Sequence, residues 1–396
     1  MIQAIVDGAR LPQHHLQRLW GRIPLLDRWL LLELLPTLFF GIASFTAVGI
    51  SVGAVFELIR RVSESGLSLL AAGQILLLQL PGFTVLSFPM ATLMATLLAY
   101  SRLSSTSELT ALRSIGVSTR RMVVPALVVA LVMSGLTFVF NDEIVPRANY
   151  AAHVTLMRGL GRAVATEKGS NVIYSRLGNV RLDDNNTRNQ LTQTFYAREY
   201  EHGRMTDITV LDLSRPGNRQ LLTAARGTWN ESESMWEFED GRITNVDDRT
   251  GATTSATFDR YLYPLGRGPA EVSQLPDDIL QMTVGQARRA ERLYREANNT
   301  KEARRMRVRI QEKFAFPVIC LVFGLIGSSL GVRPNSRTSK GQGFGLSVIM
   351  IFGYYLFSFM FSSMGISGTL PPLISAWTPV AIGLSWGGYL LWKASR

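Results

Sequence analysis

Apolar residues gather in six windows, three before and three after a long stretch in which they alternate with polar ones. The early windows are about Trp29–Phe56, Gln74–Tyr100 (interrupted by Pro81 and Pro89) and Met122–Phe140. The late ones are Phe314–Leu330, Phe344–Met364 and Leu373–Trp392. From Gly341 to Trp392 no side chain is charged, and the run breaks only at Gly365-Ile-Ser-Gly368-Thr-Leu-Pro-Pro372. One helix crosses a bilayer with about 20 apolar residues, so this run predicts two spanning helices joined by a tight turn. The expected architecture is an α-helical membrane protein of six transmembrane helices in a 3+3 arrangement, with a β-domain inserted between the halves. The boundaries are residues 1–140, 141–312 and 313–396.

The insert reads as β in its first two-thirds. Strands are expected from Asn171–Arg176, Phe195–Tyr200, Asp207–Leu213, Gln220–Trp229, Met235–Phe238, Arg242–Val246 and Thr254–Tyr263. Turn signals separate them: His202-Gly203, Pro216-Gly217-Asn218, and Asp240-Gly241 as a hairpin. Short, evenly spaced strands predict a sandwich or an open jelly roll. Thr283 with Gln286 forms a capping-box pattern, and Gly285–Lys313 predicts one helix leading into the fourth span.

Charge adds orientation. The insert, Asp142–Lys313, holds 26 of the 41 basic and 24 of the 30 acidic residues, a balance of +2. The flanking blocks hold 15 basic and 6 acidic residues, a balance of +9. These basic residues stand at the ends of apolar runs, where they fix topology, which argues against a nucleic-acid partner. Arg10, Arg18, Arg22, Arg28, Arg102, Arg113, Arg120, Arg121, Arg333, Arg337, Lys340, Lys393 and Arg396 mark one side, facing Asp7, Asp27, Glu33 and Glu108. The opposite short loops cancel (Glu57, Arg60, Arg61, Glu64) or are neutral. Both termini are therefore expected in the cytoplasm and the insert outside. The first 28 residues carry no cleavable-signal pattern, so the first span is expected to act as a signal-anchor.

Candidate chemistry is sparse. The one cysteine, Cys320, lies in the fourth span, so the insert has no disulfide, and with four scattered histidines (His14, His15, His153, His202) no metal or other cofactor is expected. No P-loop, H-E-x-x-H or G-x-S-x-G occurs. Asp183-Asp184, Asp247-Asp248 and Asp277-Asp278 lie in turn-like stretches and read as solvated charges. No ionisable residue sits mid-span, since Glu33, Glu57 and Lys313 lie near interfaces, which argues against an ion-coupled pump. Energy for transport would come from elsewhere. The segment Ser104–Arg121 predicts a short cytoplasmic helix, about 104–116, capped by Ser or Thr, ended by Gly116, with Leu109, Leu112 and Ile115 on one face. Such a helix is an interfacial linker or the seat of an ATPase. Gly49-x-x-x-Gly53 and Gly327-x-x-x-Gly331 fit close helix packing.

Several strings together resemble the LptF/LptG (YjgP/YjgQ) permeases: Ser107-Glu108-Leu-Thr-Ala-Leu-Arg-Ser-Ile-Gly116-Val-Ser118, Asn141-Asp-Glu-Ile-Val145-Pro146-Arg-Ala-Asn149, Glu312-Lys313-Phe-Ala-Phe-Pro317, Gly353-Tyr354-Tyr355, Gly365–Pro372 and Trp377-Thr-Pro379. The resemblance spans nearly the whole chain. It implies a permease of the bacterial inner membrane, without catalysis of its own, that extracts lipopolysaccharide. Its implied partners are a second such permease, an LptB-type ATPase dimer and LptC/LptA-type periplasmic β-proteins, with the insert as a periplasmic jelly roll. Glu108, with Leu109, Leu112, Arg113 and Gly116, would meet the ATPase. Arg60 and Arg61 match the family's basic pair and would meet lipid phosphates, and Gly49, Gly53 and Gly345 would lie at a lateral gate. Where some members place a lysine inside the first span, this chain has Ala54. The readings kept beside this one are an exporter permease for another lipid or glycolipid and a membrane receptor or scaffold.

Overall fold

The computed structural model describes residues 24–160, 170–183, 186–201, 203–215, 217–266, 268–272, 275–276, 279–332 and 340–395. The expectations on Asp7, Arg10, His14, His15, Arg18, Arg22, His202, Pro216, Arg333, Arg337, Arg396 and the pairs completed by Asp184 and Asp277-Asp278 fall outside these residues. The chain is mostly helical, with a separate antiparallel sheet.

Helix α1 (Leu25–Ile50) passes through a π turn (Ser51–Val55) into α2 (Phe56–Ser65), ended by Gly66 at φ 70°. Helix α3 (Leu69–Ser105) follows, then the short α4 (Glu108–Ser114). Helix α5 (Thr119–Val139) runs through a second π turn (Phe140–Ile144) into α6 (Val145–Gly159). After the sheet come α7 (Gly268–Val272), α8 (Val284–Glu296), α9 (Thr300–Gly331), α10 (Lys340–Ser367) and α11 (Pro372–Ala394).

Five helical stretches are long and apolar enough to cross a membrane: Leu25–Ser65, Leu69–Ser105, Thr119–Gly159, Thr300–Gly331 and Gly343–Ser367. The expected sixth span is also a helix, α11, yet it is not among these five. Ser375, Thr378, Gly383, Ser385, Gly387 and Gly388 dilute its apolar character. The first stretch has 41 residues, about 60 Å at 1.5 Å per residue against ~30 Å of hydrocarbon. The stretch is thus about twice as long as one hydrocarbon thickness, and Arg60 and Arg61 lie in its last turns, in helix rather than in a loop.

Helix α3 is the hub of the membrane part. It does not break at Pro81 or Pro89 as expected from the sequence. Hydroxyls near each proline donate to backbone carbonyls, Thr84 to Leu80 at 2.9 Å and Thr92 to Phe88 at 2.7 Å. These are not the carbonyls that the prolines deprive of a donor, which lie four residues earlier at Leu77 and Val85. Glycines bring α9 against α3. A Cβ on Gly327 would stand 2.2 Å from Thr96 Oγ1 and 2.9 Å from the Leu93 carbonyl, and one on Gly331 2.6 Å from Tyr100 Cβ. Two helices this close leave no room for any other residue type.

The sheet has six strands in sequential order: β1 (Ser170–Asp183), β2 (Asn186–Glu201), β3 (Arg204–Asp212), β4 (Asn218–Asn230), β5 (Met235–Asp247) and β6 (Thr253–Tyr263). This meander curls over one core. Phe195 of β2 stacks on Phe238 of β5 at 6.3 Å, and Tyr263 Oη of β6 donates to Asp212 Oδ2 of β3 at 2.8 Å. Strands three apart thus meet face to face, an arrangement that fits a jelly-roll-like fold, although the strand order is sequential, without a crossover. Val172, Ile208, Val210, Leu222, Trp236 and Phe238 fill the inside.

Asp240-Gly241 does not turn the chain, so the two strands expected around it are one, β5. Residues on both sides of the dipeptide pair with the same neighbouring strands, Glu239 with Arg226 and Arg260, Arg242 with Thr223 and Thr257. The space a Gly241 side chain would need is taken by the Phe258 ring at 2.3 Å and the Thr223 carbonyl at 2.5 Å, so this glycine serves close approach of neighbouring strands. The helix expected over Gly285–Lys313 is two: α8 ends at Glu296, Asn298 adopts φ 59°, and Asn299 caps α9. The Thr283–Gln286 capping box is present. Val284, Ala287 and Ala290 of α8 fold back onto Met306 and Ile310 of α9.

Candidate functional site

Four groups of residues carry the sequence-based expectations. The first is α4. It is shorter than expected, because α3 continues through Ser105 and Ser107 takes a left-handed φ of 62° with no side-chain cap. Gly116 closes the segment at φ 91°, with its N–H on the Arg113 carbonyl at 3.0 Å. The expected apolar face is split. Leu109 is 1% exposed and Leu112 packs beside it on the core formed by α1, α3 and α5, whereas Ile115 is 75% exposed. Glu108 accepts from Thr106 Oγ1 at 2.6 Å rather than pairing with Arg113.

Arg113 turns inward. Its Nη2 donates to the Val332 carbonyl, at the C-terminal end of α9, at 2.7 Å. A cation satisfies the terminal carbonyls of a helix and complements its dipole. The same end of the bundle is tied by Arg121, bidentate on Asp27 with both contacts at 2.7 Å, and by Arg102 on Glu33 at 2.5 Å. Leu109 and Arg113 thus seat α4 on α3 and α9, and Thr110, Ala111, Ser114 and Ile115 are left facing outward.

The second group is the basic pair on α2. Glu57 holds both residues, Arg60 Nη2 at 2.6 Å and Arg61 Nε at 2.8 Å. Arg60 remains 61% exposed, Arg61 34%. Two guanidiniums on one carboxylate keep a net positive charge and free donors facing outward. Ala54 is 2% exposed inside the π turn, so the side chain of a lysine there would enter packed helix.

The third group is glycine. Gly49 and Gly53 both lie against the Phe83 ring, where an added Cβ would meet it at 3.2 and 2.6 Å. Gly345 has nothing within 4 Å of such a Cβ. It lies on α10, whose Ile349, Phe352 and Phe359 are about 70% exposed.

The fourth group was not singled out by the sequence, although its members belong to strings that were. Asp142, in the second π turn, accepts from the Val284 N–H at 2.7 Å, at the first turn of α8. Lys313, on α9, donates to the Met282 carbonyl at 2.7 Å and the Asn141 carbonyl at 3.2 Å, with Asp142 at 4.0 Å. Asn149 Nδ2 reaches the Leu280 carbonyl at 3.3 Å, and Trp377 Nε1 donates to Gln311 at 3.2 Å. Three strings far apart in sequence therefore tie the second π turn and α6 to the segment that opens α8 and to α9, and α9 in turn to α11. The signal was a charged residue at each end of an apolar window, but their pairing is invisible without the fold.

A family model described as "Lipopolysaccharide export system permease LptF/LptG" matches residues 28–393, most of the chain. A Rickettsia prowazekii (strain Madrid E) protein described as "Uncharacterized protein RP871" is 23% identical over 252 residues, which cover 62% of this chain and 65% of that protein.

Proposed function

The chain belongs to the lipopolysaccharide export system permease family LptF/LptG, and from that premise we propose that it is one half of an ATP-driven permease lifting lipopolysaccharide from the inner membrane. The observation that carries this reading is the seating of α4. A short helix is anchored inward by Leu109 and Arg113 and presents its other side, where an ATPase dimer of the LptB type would dock. Glu108, at its first turn, offers a carboxylate to a basic partner.

In this reading α11 is the sixth span, both termini are cytoplasmic, and the chain divides at residues 140/141 and 312/313. A second LptF/LptG-type permease completes the cavity. The exposed apolar faces of α1 and α10, with Gly49, Gly53 and Gly345, line its lateral entrance. Arg60 and Arg61 meet the lipid phosphates through charge-assisted hydrogen bonds. The curled sheet offers edge strands to LptC/LptA-type β-proteins by strand addition.

Purification of the tagged chain with untagged partners tests this directly. An ATPase is expected to accompany it, and Glu108→Lys is expected to cut recovery about tenfold, the scale of a charged interface residue. If no ATPase co-purifies and Glu108→Lys leaves lipid export intact, the permease reading fails. The double variant R60A/R61A is expected to reduce photo-crosslinking to lipopolysaccharide several-fold while subunit assembly persists. Unchanged crosslinking would remove the headgroup role.

A further inference from the structure

Charge within the polar insert is divided by element. Residues 170–263, the strands and their turns, hold 11 basic and 14 acidic residues. Residues 284–313, which are α8 and the polar start of α9, hold 10 basic and 4 acidic ones. A nearly neutral insert thus joins an acidic sheet to a basic helical hairpin.

Helix α8 sorts its residues by face. Val284, Ala287, Ala290 and Leu293 are buried. Arg288, Arg292 and Arg295, at i, i+4 and i+7, form a row on the opposite face, with Arg289 beside them and Glu296 at the end. All five are exposed. Glu291 is shared between Arg295 and Arg307 of α9, which leaves that trio one positive charge. Arg288, Arg289 and Arg292 form no ion pair with another described residue.

The row has a direction. At the foot of α8 the Val284 N–H donates to Asp142, and the Met282 carbonyl accepts from Lys313, each at 2.7 Å. Lys313 adjoins Phe314, where the apolar run of α9 begins. At the top, the Ala297 carbonyl accepts from the Leu177 N–H of β1 at 2.9 Å. Helix α8 runs antiparallel to α9, since Val284, Ala287 and Ala290 cluster with Met306 and Ile310, and Glu291 meets Arg307 at 3.0 Å. Its 13 residues, about 20 Å, therefore lead from the edge of the apolar layer to an edge strand of the sheet.

That course selects an occupant. A helix that anchors on a bilayer surface lies in its plane, with its cations at one level, whereas this row climbs away from the apolar layer. Four arginines rather than lysines suit the bidentate geometry of phosphate. Exposed cations without partners, set along the line from membrane to sheet, fit an anion that travels that line. We infer that the outer face of α8 is a phosphate-binding track, which meets the phosphorylated head group of the glycolipid cargo after it leaves the membrane and before it reaches the sheet. The inference rests on the permease reading and adds to it a site beyond Arg60 and Arg61.

The test uses the full chain with its co-purifying partners in proteoliposomes containing lipopolysaccharide. A photoreactive phenylalanine analogue replaces Gly285 at the foot of α8, Glu296 at its top, or Ile59 beside the Arg60–Arg61 pair, all exposed positions. Illumination during ATP hydrolysis is expected to link lipopolysaccharide at all three. The double variant R288Q/R292Q is expected to lower the yield at Glu296 about tenfold, the scale of one charge-assisted hydrogen bond. The yield at Ile59 and ATP hydrolysis are expected to stay unchanged, because these arginines touch nothing that holds the fold. R288K/R292K, which keeps the charges, is expected to recover most of the yield. Lipopolysaccharide stripped of its phosphates is expected to reproduce the loss in the unaltered chain and to add none in R288Q/R292Q.

Loss of lipopolysaccharide links at Ile59 and on α8 alike overturns the permease reading and this inference together. Links at Ile59 with none at Gly285 or Glu296 overturn this inference alone. So does a yield at Glu296 that ignores both the charge at positions 288 and 292 and the phosphates. A link from α8 to a protein subunit or to phospholipid in place of lipopolysaccharide also overturns it, and assigns the face to that contact.

Discussion

A carboxylate inside a β domain keeps its charge only where donors outweigh burial, and Asp212 shows the balance. Burial pushes its pKa up, but Ser214, Gln193 and Tyr263 donate to it and the net shift is downward. The same contact, with burial as the larger cause, raises the Tyr263 hydroxyl. A carboxyl whose folded pKa lies below its unfolded value stabilises the fold above that unfolded value, near 3.8. The contribution is lost as pH falls through the folded value. Tyr263→Phe is therefore expected to lower the domain's stability at neutral pH by about 1 kcal/mol, discounted because the Asp212 carboxylate is only partly buried. The deficit should shrink below pH ~4. Thermal unfolding followed by the fluorescence of Trp229 and Trp236 measures it, and a deficit that persisted undiminished in acid would assign the effect to packing alone. Little of this is legible in the sequence. Gln193 and Asp212 fall on expected or neighbouring strands, but only the curl of the sheet brings Tyr263 across to them.

Elements were legible where periodicity was long and pure. The apolar windows became helices, and strands β3, β4 and β6 lie within a few residues of their expected bounds. The failures share one cause, local conformations that side-chain pattern does not encode. Ser107 and Asn298 take left-handed φ and split expected helices, while α3 runs on through Pro81 and Pro89. The two π turns left no trace that the pattern could show. Glycine spacing, by contrast, identified contacts without saying how tight each is, and the structure now ranks them. Gly327→Ala would press a methyl into Thr96 and the Leu93 carbonyl, and a backbone atom cannot yield. It is expected to cost about 1–3 kcal/mol, read as earlier unfolding in detergent. Gly345→Ala meets nothing within 4 Å and is expected to be neutral or to gain up to about 1 kcal/mol from helix propensity. A lateral gate at Gly345 would appear as lost lipid export in that fully stable variant. Equal destabilisation at the two positions would refute the ranking.

Across the whole molecule, α9 is the element held at both ends. Near the sheet domain Lys313 ties it to the Asn141 and Met282 carbonyls, and at the opposite end Arg113 of α4 holds the Val332 carbonyl just beyond its last turn. Close packing through Gly327 and Gly331 makes it one body with α3. A push on α4 from an ATPase would therefore reach α9 through Arg113 and arrive at the network below the sheet without passing through a flexible loop. On the proposed function, Glu108 and Arg113, five residues apart, would have separable roles, the first in holding the ATPase and the second in passing its motion inward. Arg113→Ala removes the link but leaves Leu109 buried and the outward face of α4 in place. The ATPase is expected to co-purify at the wild-type level and to hydrolyse ATP, while lipopolysaccharide release from proteoliposomes falls about tenfold, the scale of one charge-assisted hydrogen bond. Arg113→Lys, which keeps a donor within reach of the carbonyl, is expected to recover part of the release. If Arg113→Ala instead sheds the ATPase as Glu108→Lys does, Arg113 belongs to the docking contact. The path through α9 would then have to begin at Leu109 and Leu112, whose packing on the core would still tie α4 to the spans.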